Sequence, residues 1–379
     1  MAIDTDIDRV LFLGIPLDRK CGVSKANLEL ARALSNEGVA VDHVSTWPLT
    51  DDFKFTSSTG ETKDFKSIDD LLGFLGQSSM QPDVIHCHSW AWAPQSQIDG
   101  EGIKKIKNRF DVGVVHTFHS YLPVEQTAQE ELLPYADRVV HLTEQGEAAF
   151  CEIFRKMPHK FPNLRVIPNI VQTPDCSTEE VNEVRKKISP NGEEVILYVG
   201  RFSQEKGTTE LTGAFDRISR KYGDVRLVLI GEETTPHGEE DRMRKNLASC
   251  VNRTTFTGWL DEKDVALYQR ATAINGIEIA PSYHEAFSLA IFKALATGCP
   301  VAASRIPTLR NLLHLDSKQP YAIPIRGVSP EKISAAFDFF RENRNECMEL
   351  TRLAQERVTK DYSPANVARQ CLEVYNEVL

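Results

Sequence analysis

Short apolar runs recur along the whole chain, and most are continuous rather than alternating. In the first half they are "RVLFLGIP", "VAVDHVS", "DVIHCHS", "GVVHTFHS", "RVVHLT" and "NLRVIPNI". In the second they are "EVILYVGR", "VRLVLIG", "TTFTGWL", "INGIEIAP", "PVAASR" and "YAIPI". A strand that is apolar at every position is buried on both faces, the condition of a parallel sheet. Helical spacing fills several of the gaps. "SKANLELARALSNEG" puts Leu28, Ala31 and Leu34 on one stripe, with Ser24 as its N-cap and Gly38 as its stop. This alternation predicts an α/β fold of parallel sheets with crossover helices, and the number of strands is enough for two sheets. Two doubly wound, Rossmann-like domains are therefore expected. Ligands of such sheets bind beyond the carboxyl ends of the strands, so the default site is a cleft between the domains.

The length of 379 residues suits two domains. The weakly patterned stretch from Val171 to Glu194 reads as the linker, giving an acceptor-side domain over 1–172 and a second domain over 173–363. The last helix, in "SPANVARQCLEVYNEVL", has no strand after it; residues 364–379 are expected to pack back on the first domain. A net charge of −10 argues against nucleic acid as a partner, since phosphate neutralisation needs a basic surface. No run approaches the roughly 18 apolar residues of a membrane helix. The N-terminus is acidic ahead of its first apolar run, unlike a signal peptide. Eight cysteines are scattered without a CxxC pair, which disfavours zinc or a disulfide framework. A cytoplasmic protein with reduced thiols is expected.

Two stretches carry chemistry. In "YVGRFSQEKG", Gly200 ends a strand and lets backbone approach a ligand, while Arg201 and Lys206 follow as cations five residues apart. A forked donor and a point charge suit the oxygens of a diphosphate. In isolation the pair reads as two solvated cations; its place at a strand end favours function. In "PSYHEAFSLAIFKALATGCPV", Glu285 precedes a helix whose start, at Phe287, Ser288 and Leu289, offers N–H groups to an anion. A carboxylate beside an anion site suits a sugar diphosphate. His86 and His88 read more readily as scaffold than as site. Trp90 and Trp92 suit either stacking of an acceptor ring or loop packing. "GIKKIKNRF" (Gly102–Phe110) and "FRKMPHKF" (Phe154–Phe161) are basic with apolar interleaving. They are candidates for peripheral contact with an anionic membrane, with a solvated helix face as the favoured reading.

With these motifs in order, the chain resembles a family 4 retaining glycosyltransferase of the GT-B fold. The likeness runs over nearly the whole chain and includes "KCGVSKANLELARAL", "PDVIHCHSW", "VVHTFHS", "ADRVVHLTE", "VIPNIV", "YVGRFSQEKG", "FTGWL" and "PSYHEAFSLAIFKALATGCPV". The resemblance implies a role for each residue. The loop at Gly22 would approach the donor diphosphate and the acceptor, and His119 would be the active-site histidine. Arg201 and Lys206 would neutralise the leaving diphosphate. Glu285 would bind donor-sugar hydroxyls, and the backbone of Phe287–Leu289 would hold sugar or phosphate. The partners would be an NDP-sugar donor, UDP first, and a hydroxyl acceptor; no cofactor and no metal are implied.

The chain departs from the family pattern at three loops. The family carries a second glutamate, eight after the first, that accepts from the ribose; here it is Lys293. A lysine only donates. On a helical wheel it falls away from the face of Phe287, Ile291, Phe292 and Leu295, so an exposed edge is a tenable place for it. Lys293→Glu would then restore the ribose contact. The usual paired glycine of the first loop is Cys21–Gly22, and Pro307 and Thr308 stand where the family often has two glycines. A binding homologue that has lost turnover with the second glutamate is the alternative. A nicotinamide-dependent dehydrogenase is a weaker one, because no GxGxxG links a strand to a helix.

Overall fold

The computed structural model describes residues 6–17, 21–45, 53–77, 79–88, 100–119, 133–154, 163–234 and 237–379. The chain divides into two compact units, Met1–Ile170 with Tyr362–Leu379, and Val171–Asp361.

The first unit is built on one eight-stranded sheet. Its strands are β1 (Arg9–Gly14), β2 (Ala40–Ser45), β3 (Phe53–Thr56), β4 (Thr62–Phe65), β5 (Val84–His88), β6 (Gly113–Phe118), β7 (Arg138–His141) and β8 (Asn163–Val166). They lie in the order β4-β3-β2-β1-β5-β6-β7-β8. All neighbours are parallel except β2–β3 and β3–β4. That antiparallel hairpin is absent from the sequence reading. Its second strand is exposed at Thr62, Lys63 and Asp64 and buried only at Phe65, so it lacks the continuous apolar run of a two-sided strand.

One face of this sheet is covered by α1 (Gly22–Asn36) and by a helix at the end of the chain, Pro364–Asn376. Leu30, Leu34, Val367, Cys371 and Tyr375 close over Val10, Phe12, Val84 and Val115. The terminal helix thus belongs to the first unit. On the other face lie α2 (Ile68–Leu75) and α3 (Gly100–Phe110), with Leu71, Leu75, Ile103 and Ile106 packed on Leu11, Leu13 and Ile85. The interleaved apolar residues of "GIKKIKNRF" are thereby committed to the core. Lys104 and Lys105 stay exposed and Lys107 pairs with Asp137 at 2.6 Å, the pattern of a solvated face. Trp90, Trp92 and residues 155–161 lie outside the described residues. α4 (Glu144–Phe154) completes the unit.

The cap of α1 differs from expectation. Cys21, extended at φ −148°, is the N-cap, and its sulfur accepts from the Ser24 amide. Ser24 is buried and donates instead to the Pro16 carbonyl at 2.7 Å.

The second unit opens with a further departure. The stretch read as linker holds α5 (Thr178–Ile188). Ser177 accepts from the Glu180 amide at 3.2 Å and Glu180 returns a bond to the Ser177 amide at 2.9 Å, a capping box. Only Val181, Val184 and Ile188 are apolar enough to anchor it, so its periodicity is diluted by charge. After it come β9 (Glu194–Val199), α6 (Thr208–Lys221), β10 (Val225–Ile230), α7 (Glu239–Asn246), β11 (Thr254–Gly258), α8 (Glu262–Ile274), β12 (Gly276–Ala280) and α9 (Leu289–Ala296). Next are β13 (Val301–Ser304), α10 (Pro307–Leu312), β14 (Ile323–Ile325), α11 (Pro330–Glu342) and α12 (Arg344–Asp361); Pro364–Asn376 is α13. The six strands form one parallel sheet in the order β11-β10-β9-β12-β13-β14. Both sheets are doubly wound, and the order reverses at β1/β5 in the first and at β9/β12 in the second. Among the described residues no helix is long and apolar enough to cross a membrane, and all eight cysteines are free thiols.

Tyr375 of α13 is fully buried, and its hydroxyl lies 2.6 Å from Nδ1 of the buried His86. Tyr375→Phe leaves that ring nitrogen without the hydroxyl. It should lower stability by about 1–3 kcal/mol in urea unfolding of the full chain; an unshifted midpoint would show that the bond contributes nothing.

Candidate functional site

The candidate site in the second unit sits where the strand order reverses. β9 and β12 are neighbours, and the loops that leave their carboxyl ends run side by side. The first loop starts at Gly200. A Cβ there would lie 2.8 Å from the Tyr198 hydroxyl, which donates to the Arg201 carbonyl at 2.7 Å, so glycine makes room for this bond. A turn of 3-10 helix, Gln204–Lys206, follows and ends at Gly207 with φ 64°. Glycine is required there twice over. The backbone is left-handed, and a Cβ would lie 2.2 Å from the Pro281 carbonyl oxygen in the second loop.

Several contacts fasten the loops together. The Tyr283 amide donates to the Glu205 carbonyl at 2.8 Å. The Lys206 ammonium stands 2.9 Å from Glu285 Oε1, with both side chains largely buried. Gly207 packs against Pro281. Ser282 Oγ also donates to Glu285 Oε1, at 2.8 Å. Lys206 and Glu285, read from two separate stretches of sequence, are thus joined directly by the structure. Arg201 is half exposed and pairs with Glu205 at 2.5 Å. At the end of the second loop Phe287 is buried and stacks on Phe292 at 4.6 Å, which seats the start of α9. Ser288 precedes the helix with φ 75° and ψ 74°, a left-handed backbone uncommon for a residue with a side chain. Leu289 is the first helical residue, and the opening turn of a helix leaves its N–H groups without intrahelical partners.

Beneath this helix lies a group that sequence reasoning missed. Glu278, in the strand "GIEIA", is buried, and burial pushes its carboxyl up to about 8. Gln269 Nε2 donates to Glu278 Oε2 at 2.9 Å and to the Ala290 carbonyl at 3.2 Å, linking the strand to the first turn of α9. A glutamate inside an otherwise apolar strand was the available signal.

Lys293 corrects an expectation. It is not on an exposed edge but 7% exposed, and it is paired with Glu262 at the start of α8. The wheel argument assumes one free helix face. Residues 291–296 are all buried, because α8, α12, β12 and β13 surround α9. A buried ammonium requires a carboxylate, and the neighbouring helix supplies it. Pro307 is likewise not in a loop but at the first position of α10.

In the first unit, Gly22 opens α1 and His119 follows β6, both beyond strand carboxyl ends. A Cβ at Gly22 would meet no atom within 4 Å, so packing does not demand glycine there. His119 is 9% exposed, and its Nε2 is 3.2 Å from Nδ1 of the buried His88. His86 lies 4.0 Å from His88, ring to ring, and also meets the Thr117 hydroxyl at 2.7 Å. Burial pushes His119 and His141 down to about 4 and His116 to about 3, and it lowers His86 and His88 well below the usual histidine value. All five rings are therefore neutral at pH 7.

Each unit thus holds a doubly wound sheet, and in the second an Arg/Lys loop lies beside a Glu loop at the switch point, the arrangement expected of a sugar-nucleotide transferase. Comparison with known proteins agrees. Residues 180–357 match the family model described as "Glycosyl transferases group 1". The glycogen synthase of Mycobacterium tuberculosis is 26% identical over 78% of this chain and 69% of its own length. The D-inositol 3-phosphate glycosyltransferase of Corynebacterium urealyticum is 23% identical over 81% of this chain and 74% of its own. Among solved structures, sucrose-phosphate synthase from Thermosynechococcus elongatus superposes with a TM-score of 0.76, at 20% identity over 98% of each chain. Anabaena HepE, solved with UDP-glucose, superposes with a TM-score of 0.72 at 14% identity, over 97% of this chain and 99% of its own. The protein is a glycosyltransferase. It has the GT-B fold, and its residues 180–357 are similar to the glycosyl transferases group 1.

The histidines predict acid sensitivity. Their native pKa values lie below the unfolded value near 6.5, so the unfolded chain binds protons first as pH falls. Each ring then removes about 1.4 kcal/mol per pH unit between about 6.5 and its native value. Glu278 and Glu194, raised by burial, act in the opposite sense, but they are two groups against five. Thermal melts should show the midpoint falling from pH 6.5 to 5; a flat midpoint would count against five buried neutral rings.

Lys293→Glu would bring two carboxylates together rather than restore a ribose contact. It should cost about 3–5 kcal/mol, and adding Glu262→Lys should recover most of the loss. A single variant as stable as the parent in urea would show that the pair does not govern this position.

Proposed function

We propose that the second unit binds a nucleoside diphosphate sugar and that the protein transfers the sugar, with retention, to a hydroxyl acceptor. The observation that carries this reading is the Lys206–Glu285 pair at the switch point, beside Arg201 and the opening turn of α9. UDP is the nucleotide proposed, with a hexose or N-acetylhexosamine as the sugar. HepE was solved with UDP-glucose, and the named relatives are sugar transferases. The acceptor is a small metabolite, a lipid or a polysaccharide precursor.

Breaking the anomeric C–O bond develops negative charge on the diphosphate and positive charge on the sugar. Lys206, Arg201 and the N–H groups of α9 stabilise the first. Arg201 reaches the diphosphate by giving up an exposed pair with Glu205, which is worth about 1 kcal/mol or less. Glu285, held by Ser282 and Lys206, accepts from donor-sugar hydroxyls. The acceptor oxygen attacks the face that the diphosphate leaves, and a phosphate oxygen takes its proton. His119 accepts from a hydroxyl at the reacting centre. Written this way, the step requires neither metal nor cofactor.

Arg201→Ala and Lys206→Ala should each lower turnover by about 10²-fold or more in a donor-by-acceptor panel over UDP-, GDP- and ADP-sugars. Glu285→Ala should impair sugar transfer more than UDP binding by calorimetry. Tight nucleotide binding with no turnover of any donor would instead identify a binding homologue.

A further inference from the structure

Behind His119 the first unit has a partly open cavity of about 20 Å³, lined among others by Asn27, His88, Thr117, His119 and Asn169. That is room for one water. The lining is polar in an unusual way. Asn27, on α1, is 1% exposed, and among the described residues neither its amide oxygen nor its amide nitrogen has a hydrogen-bond partner. His88, also 1% exposed, has a partner on Nδ1, which is His119 Nε2, but none among the described residues on Nε2. Two buried polar groups without partners among the described residues therefore line the same small space. Leaving each unsatisfied costs about 1–3 kcal/mol, and the local stripe of α1 offers no packing reason for an asparagine at this position. A water that bridges them satisfies both.

The bridge has a consequence for His119. Both rings are neutral, so only one proton lies between Nδ1 of His88 and Nε2 of His119. If His88 donates it, the Nε2 of His88 is a bare lone pair, which a buried site tolerates comparatively well. If His119 donates it, His88 carries its proton on Nε2 and that N–H requires an acceptor. Orphaned buried N–H groups are the rarer kind. In the second arrangement the Asn27 carbonyl meets that requirement; in the first its amide nitrogen would serve only a lone pair, which needs a partner less.

We propose that Asn27 and His88 are positioning residues for His119. Water in the cavity links Asn27 to Nε2 of His88, His88 accepts the Nε2 proton of His119, and Nδ1 of His119 is left as a lone pair that accepts from a substrate hydroxyl. The proposal rests on the role given to His119 above. Its test is independent of turnover.

Long-range ¹H–¹⁵N correlation of the histidine rings in the full chain at pH 7.5 reports which nitrogen of each ring is protonated. The wild-type spectrum should show His119 protonated on Nε2 and bare on Nδ1, and His88 protonated on Nε2. Observation of His119 protonated on Nδ1 overturns the proposal with no variant needed. Asn27→Leu, which removes the acceptor, should shift the tautomer ratio of both rings tenfold or more toward the opposite form; Asn27→Asp, which keeps an acceptor, should retain the wild-type form. Unchanged ratios in Asn27→Leu also overturn it. Tautomers that move as described, together with unaltered transfer by His119→Phe, would uphold the relay while refuting the catalytic reading of His119. Loss of transfer by His119→Phe with immobile tautomers would do the reverse.

Discussion

The ion pair between Lys206 and Glu285 is the contact on which the second unit's site depends. It closes the space between two loops that strand order alone makes adjacent, and it does so in a partly dry place where a lone charge of either sign would be costly. Around it the backbone has little freedom. Gly207 touches the Pro281 carbonyl too closely for any side chain. The Tyr283 amide is held by Glu205. The carboxylate is fixed by Ser282 as well as by the lysine. A cation and an anion are thus presented together on a rigid base, as the proposed transfer would require of charges that act without reorganising.

The same economy governs α9. A helix at the centre of a doubly wound layer is packed on every side, and a charged residue in it has to bring its own partner. Lys293 does this through Glu262. The consequence at this position is specific. The ammonium is committed to a carboxylate of α8, so the charge at the start of α8 and the charge within α9 act as one neutral unit. A substitution at either position changes both. A family comparison that looks at position 293 alone sees a lost glutamate; the structure shows a glutamate one helix away, on a lysine.

What could be read from sequence follows from what leaves a local trace. Continuous apolar runs marked the two-sided strands, and the loops after β9 and β12 were legible because glycine, cations and a carboxylate sit at fixed offsets from those runs. The exposed hairpin β3–β4 left no such run. α5 was hidden because only three apolar residues anchor it among charges, although its capping box, Ser177 and Glu180, was in plain view. Other features are long-range and leave nothing to read. The burial of Lys293, the elevation of Glu278 and the isolation of Asn27 arise only once α8, α9 and α1 have taken their places. Ser24 fell between the two classes. Its residue type suits a cap, but tertiary packing claimed its hydroxyl for Pro16 and left the cap to Cys21.

The imidazoles of the first unit show how one residue type serves two purposes on opposite faces of a sheet. In a parallel ladder, registered residues share a face and alternate along the strand. His88 is registered with Thr117, and His86 lies two residues before it, so these three and His119 fall on the side covered by α1 and α13. Each of the three rings there meets a polar atom, of Tyr375, Thr117 or another ring. His116 falls on the other side, as do Phe118 and its registered partner His141. There the rings pack edge-on or stacked at 4.5 and 5.4 Å, as flat filler among aromatic neighbours. Both uses require a neutral ring, and burial supplies it on each face. In the first arrangement proton position is shared between rings and hydroxyls, because His88 faces His119 and His86 faces Tyr375 and Thr117. The face that α13 closes is therefore where the first unit keeps its chemical definition, and the return of the chain end to this unit makes that sharing possible by delivering the hydroxyl of Tyr375.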